Sequence, residues 1–240
     1  MIGPMIHRLL RRDDLALLVN VIAERSPDSR NDAKESLESG AVDALLDHPA
    51  ALDAVRGRGG VPAPLPLPLL WYVPIRAALR SRGKHDIAVA DYTASVPIAF
   101  LRTANLRAVS RGEAGIAMWW DSIERLPHGT VAQAERAALC GALALWWAGC
   151  FPDWVQRKGR GPGTLRAYTD FARAALQFSA HFISRQLPEI SRVYRRTASE
   201  IEIVRDALAE VGSSYLGSEA HTSQGRIRRF LSQISRDFAD

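Results

Sequence analysis

Cysteine is scarce in this chain of 240 residues, with Cys140 and Cys150 the only two. On one helix they stand ten residues apart, roughly 15 Å along the axis. A disulfide needs Cα atoms within about 7 Å. The sequence therefore predicts two buried free thiols, a reducing compartment and a cytoplasmic location. No C-x-x-C or zinc-ligand spacing is present, so no metal site and no cofactor are expected. Long apolar runs are also missing. The longest uncharged stretch, 137–151, spans about 22 Å as helix, short of the roughly 30 Å of a bilayer core. It predicts a buried helix and no membrane span. The leading M-I-G-P-M-I-H-R-L-L-R-R lacks the apolar core of a signal peptide. Val and Ile never alternate with polar residues as a strand requires, and no repeat period shows. Neither a G-x-S-x-G elbow nor a dinucleotide-binding glycine motif occurs. Lysine is rare as well: Lys34, Lys84 and Lys158 are three of 31 basic residues, the rest being arginine. The net charge of +5 and pI near 9.6 suit an acidic partner. Abundant Arg and Ala are also what GC-rich, bacterial-type coding yields, so the charge selects no partner by itself.

What is present points to an all-α fold, an irregular multi-helix bundle. Its centre is the stretch about 131–149, A-A-L-C-G-A-L-A-L-W-W at its heart. Thr130 and Gln133 form a T-x-x-Q capping box at its start. Gly149 is its expected exit and Pro152 its stop. A helix polar only in its first turns must be enclosed by protein. Four segments follow from composition: a polar helical subdomain at 1–57, a Pro-rich extended connector at 58–68, a main helical body at 69–212, and a linker with a basic amphipathic tail at 213–240.

Within 1–57, Asp13 is the expected cap of a helix carrying Leu15, Leu18, Val19 and Ile22. A charged helix ends at Gly40, and Pro49 opens another. The prolines at 62, 64, 66 and 68 predict polyproline II until Pro68 opens a helix closed by Gly83. Asp86 caps the next. Both of these helices carry an internal Val-Pro-Ile, at Pro74 and Pro97, which predicts kinks. A helix with Trp119 and Trp120 precedes the central one. Residues 152–163 read as a loop, Thr164 as the cap of a long helix, and 188–211 as one further helix stopped by Gly212.

Four places invite chemistry. The loop with Arg157, Lys158 and Arg160, followed by Arg166 inside the next helix, pairs glycine freedom with guanidinium forks. It is the candidate site for an anionic group. It is not a Walker A loop, because Pro162-Gly163-Thr164 stands where Gly-Lys-Ser/Thr is needed. Second, His85-Asp86, with His48 before it and Asp121 or Asp153 after it, resembles the HD-domain phosphohydrolases, all-helical metal enzymes. In that family the pair sits inside an apolar helix. Here Ser81-Arg82-Gly83-Lys84 precedes it, and Asp86 is fully used as a helix cap. Asp43 and Asp47, one turn apart, read as an ordinary polar helix face, and His181 beside Phe178 and Phe182 as a packing residue. Third, the pairs Trp119-Trp120 and Trp146-Trp147 must each bury on two sides. Fourth, Ile227, Leu231, Ile234 and Phe238 recur at helical spacing behind Arg226, Arg228 and Arg229, a tail suited to a protein groove or self-association.

No acid, base and nucleophile converge in the sequence. The leading functional expectation is a non-catalytic binding or scaffold protein with a basic Gly/Arg loop. The alternatives are a helical enzyme or carrier for an acidic small molecule in a Trp/Tyr-lined pocket, and non-specific nucleic-acid binding. The last lacks a recognition helix or continuous basic stripe.

Overall fold

The computed structural model describes residues 2–56, 65–101, 115–158 and 163–216. Among them the fold is all-α: thirteen α-helices and no strand. We number them α1 (Ile6–Leu9), α2 (Arg12–Arg25), α3 (Arg30–Glu38), α4 (Val42–Asp47), α5 (Pro49–Arg56), α6 (Leu67–Arg80), α7 (Ile87–Leu101), α8 (Ile116–Glu124), α9 (Val131–Cys150), α10 (Pro152–Lys158), α11 (Gly163–Ile183), α12 (Pro188–Ser199) and α13 (Ile201–Leu216). No helix among the described residues is long and apolar enough to cross a membrane.

Helix α9 is the post around which α7, α8, α10, α11 and α13 pack. Its alanines and glycines let neighbours come close. A Cβ on Gly141 would lie 3.1 Å from Ala175 Cβ and 3.3 Å from Ala172 O, which marks tight contact with α11. Leu139 and Leu143 remain half-buried, while Trp146 and Trp147 are buried. The start of α9 differs from a reciprocal capping box. Gln133 N–H donates to Thr130 Oγ1 at 3.2 Å, but the Gln133 side chain accepts from Gly129 N–H and donates to Ile123 O. The glutamine therefore ties the α8–α9 turn together. Gly149 stands in the last turn of α9, as expected, and has a second use: a Cβ there would meet Leu208 Cβ at 2.5 Å, so its missing side chain is what lets α13 approach.

The polar helices α2, α3, α4 and α5 pack on one another, and α4 and α5 rest on α6. Buried apolar residues from Ile2 to Val211 form one continuous cluster. Gly40 (φ 76°) and Gly83 (φ 73°) end α3 and α6 in the left-handed conformation that the sequence assigns to them. Asp86 Oδ1 accepts the N–H groups of Ala88 and Val89 and caps α7 as expected. Pro74 and Pro97 lie within α6 and α7.

Several expectations are corrected. Asp13 is not the cap of α2: Arg11 stands there, and Asp14 accepts its backbone N–H at 2.8 Å. Pro152 stops α9 but starts α10, because proline fits a first helical position, so most of the expected 152–163 loop is helix. Thr164 lies inside α11 and does not cap it. The segment 188–211 is two helices broken at Glu200, and Gly212 continues α13 against Cys150. Residues 213–216, expected as linker, are its last turn. The expected polyproline segment through 64 and the tail at 226–240 lie outside the described residues.

Candidate functional site

The densest chemistry lies where α1, α4, α6 and α7 meet. Before its last residue, Arg80, helix α6 carries one charge, Arg76, which is 4% exposed. Its guanidinium makes four hydrogen bonds: Nε to Asp47 Oδ1, NH2 to Asp47 Oδ2 and NH1 to Asp43 Oδ1, each 2.7 Å, and NH1 to Tyr72 Oη at 3.0 Å. Asp43 and Asp47 stand one turn apart on α4, so a single planar fork reaches both. Arg80 adds a 3.0 Å contact to Asp47. Burial alone pushes the Asp47 carboxyl up, but the Arg76 bonds and charge, backed by Arg80, hold it below the usual carboxylate range.

Tyr72 continues the network. Its hydroxyl lies 2.8 Å from His7 Nε2, and His7 stands 3.8 Å from Asp43. Burial pushes the Tyr72 phenol above its ordinary range, against the opposing pull of Arg76. It therefore stays protonated, receives the Arg76 N–H and gives its own proton to His7 Nε2 when that nitrogen is bare. On α7, Asp91 is 5% exposed amid apolar neighbours. It accepts the N–H of Ile6 at 2.7 Å and the N–H of His7 at 3.3 Å, while the single Ser95 hydroxyl proton is shared between the Asp91 backbone carbonyl at 2.8 Å and Oδ1 at 3.3 Å. Ser95 in turn accepts the N–H of Met5. A buried carboxylate is tolerable only with such donors.

By sequence Asp43 and Asp47 read as a polar helix face, and no local motif singles out Arg76, Tyr72, Asp91 or His7. The available signal was a lone charge inside each of two otherwise apolar helices, Arg76 in L-L-W-Y-V-P-I-R-A-A-L and Asp91 in I-A-V-A-D-Y-T-A-S-V. A lone charge on a buried face requires an opposite partner elsewhere. Chemically the cluster is closed. Four of the five guanidinium N–H groups are used within the chain, which makes Arg76 a clamp between α4 and α6.

The sequence-expected anion residues are spread differently. Arg157 Nε donates to Asp153 O within α10. Arg166, its side chain 87% exposed, lies 3.5 Å from Asp170 one turn along α11. Lys158 ends α10, and Arg160 lies outside the described residues. Other arginines and a lysine pair with carboxylates across helices: Arg82 with Glu210, Lys84 with Glu200 and Arg196 with Asp86. His85-Asp86 has no metal-like surroundings, and no group of three or more His, Cys, Asp or Glu side chains suited to a metal occurs among the described residues. His48 Nδ1 accepts the Ala50 N–H instead. His181 packs its ring edge-on to Phe182, as expected, but is exposed and not partly buried. Cys140 and Cys150 are free and buried, as expected, and burial pushes both thiols up.

The paired tryptophans behave unequally. Trp146 stacks on Phe100 and Trp147 on Trp154, inside the body. Trp119 is buried against Tyr168 and Phe171. Trp120 is not: it is 41% exposed and edge-on to Phe171, and Met118, on the opposite flank of Trp119, is 57% exposed. Helix α8 is laid on the body by one face, through Trp119 and Ile123, and among the described residues its other face is exposed. Asp121 and Glu124 lie on that outer face. Comparison of the chain with models of protein families, with curated proteins and with solved structures gave no match in any of the three.

Proposed function

We propose that this chain is a non-catalytic helical binding protein whose working surface is the outer face of α8. One observation carries the reading: Met118 and Trp120 are both exposed, on the two flanks of a helix that Trp119 and Ile123 hold from beneath. Tryptophan and methionine are the residues that protein interfaces enrich, and anchors presented on a rigid element lose little entropy on binding. Asp121 and Glu124 put carboxylates between the two anchors, with Arg125 next in the chain, so the partner we propose is an apolar segment that also carries basic residues. Residues 226–238 have that chemistry by sequence, with Arg226, Arg228 and Arg229 leading Ile227, Leu231, Ile234 and Phe238. The bound partner is therefore this tail. The two buried thiols fit a reducing compartment, and we place the chain in the cytoplasm.

The test is a photo-crosslinking phenylalanine analogue at position 118 of the full chain, read by mass spectrometry. Crosslinks to 226–238 that disappear with Trp120→Lys are the expected result. Crosslinks only to other segments, or crosslinks indifferent to Trp120→Lys, overturn the reading.

A second reading, in which Arg157, Lys158, Arg160 and Arg166 hold an anionic group, is favoured by the fully presented Arg166 in the first turn of α11. Inorganic phosphate added to labelled protein should then shift the Arg166 Nε–H resonance saturably. A response equal to that of other exposed arginines removes this reading.

A further inference from the structure

Residues 2–9 lie on the body as a bound peptide lies on a receptor. The backbone of this strap reaches body side chains: Met5 N–H to Ser95 Oγ (3.2 Å), Ile6 N–H to Asp91 Oδ1 (2.7 Å), His7 N–H to Asp91 Oδ2 (3.3 Å), and Ile2 O from Tyr194 Oη (2.5 Å); the His7 ring adds Tyr72 Oη at 2.8 Å. Ile2 and Ile6 are the buried anchors, at 6% and 0% exposure, and Gly3 lies against Ile190. None of these contacts depends on the strap being joined to the body. The joint itself, Leu10 and Arg11, is extended, with ψ of 121° and 160°. Asp91 has no use within the body that would explain a buried carboxylate. Its two oxygens are taken by the strap's N–H groups, and the Ser95 hydroxyl, bonded more closely to the Asp91 backbone carbonyl, lies 3.3 Å from Oδ1.

We propose that the groove formed by Tyr72, Asp91, Ser95, Ile190 and Tyr194 is a peptide-binding site, filled in cis by residues 2–9, whose partner in trans is the same strap of a second copy. The second copy is the occupant because it presents the same backbone N–H pattern and the same two isoleucines, so every contact above is reproduced unchanged. Connection through a two-residue joint gives the cis strap an effective concentration of about a millimolar. The wild-type chain is thus self-filled, and exchange appears when the cis strap is expelled.

The experiment uses the full chain. Ile6→Asp places a second carboxylate against Asp91 at a fully buried position and expels the strap without touching the groove. A fluorescein-labelled peptide of residues 2–10 is titrated by anisotropy. Saturable binding to the Ile6→Asp chain is expected, at least tenfold weaker to wild type and at least tenfold weaker to Ile6→Asp with Asp91→Asn. A chain of native circular dichroism that leaves the peptide free, or binding indifferent to Asp91→Asn, overturns the site. Mixing Ile6→Asp chains with Asp91→Asn chains, one offering a groove and the other a strap, should give a heterodimer in sedimentation velocity. Peptide binding with the mixture still monomeric overturns the second copy as partner. If Ile6→Asp does not fold, hydrogen exchange of the wild-type amides of Ile6 and His7 decides. Exchange by a local opening well below the global unfolding free energy supports a detachable strap, and exchange only with global unfolding refutes it.

Discussion

Replacing Arg76 with methionine is the perturbation that most directly tests the clamp. Methionine keeps the length and apolar stem of the side chain and removes the guanidinium. Asp43 and Asp47 then face each other with no shared cation, and Tyr72 loses one partner. Removing one member of a fully buried pair costs about 3–5 kcal/mol. Asp43 is about half exposed and Asp47 about a quarter, so water recovers part of that loss and about 3 kcal/mol is expected. For a chain of this size that lowers the melting temperature by roughly 6–12 °C. Asp47→Asn alone should cost less, about 1–2 kcal/mol, and the double variant less than the sum, because the two share one interaction. The acid dependence gives an independent check. The native Asp47 carboxyl lies below its unfolded value of about 3.9. Its contribution is therefore complete above about pH 4 and is lost as pH falls through the native value. In the Arg76→Met chain burial acts on Asp47 without that compensation. The stability gap between wild type and variant should thus narrow as pH falls below about 4. Denaturant titrations at pH 7 and at acid pH measure this. A loss under about 1 kcal/mol at neutral pH, or a gap unchanged by acid, would show that Arg76 does not clamp α4 to α6.

The two neighbouring tryptophans of α8 should separate cleanly in thermal unfolding: Trp119→Ala costs about 3–5 kcal/mol, whereas Trp120→Lys, on the wet side, costs under about 1 kcal/mol. Equal losses would mean that the outer face of α8 is packed. Gly149→Ala should destabilise the fold by about 1–3 kcal/mol, overpacking against Leu208, despite alanine's better helix propensity; a neutral or stabilising result means that α9 and α13 do not touch there. Cys150, fully buried and pushed above the ordinary thiol range, should resist a thiol reagent in the native state at pH 8 and react at the rate of unfolding. Prompt reaction counts against its enclosure beneath Gly212.

The sequence carried the helical class, the position of the central post, the caps at Thr130 and Asp86, and the glycine stops at positions 40 and 83. Each of these is fixed by chemistry within a turn or so of chain: an oxygen reaching a nearby N–H, a missing Cβ, a period of apolar residues. The same local rules misplaced Gly212 as a stop and missed the helix that Pro152 opens. A glycine that lets two helices touch and a glycine that ends one look alike until the second helix is present, and a proline that stops one helix can start the next. Trp119 and Trp120 are adjacent letters of one type, and only the position of α11 decides which of them is covered.

The polar cluster shows the division most sharply. From Asp43 to Arg76 is 33 residues and from Ile6 to Asp91 is 85, distances over which no propensity or spacing rule acts. What the sequence alone determined is that α6 and α7 each carry one charge where the pattern wants none. What only the tertiary structure decided is where each charge finds its partner, because a buried charge is compensated by whatever the packing of distant helices brings within hydrogen-bond reach.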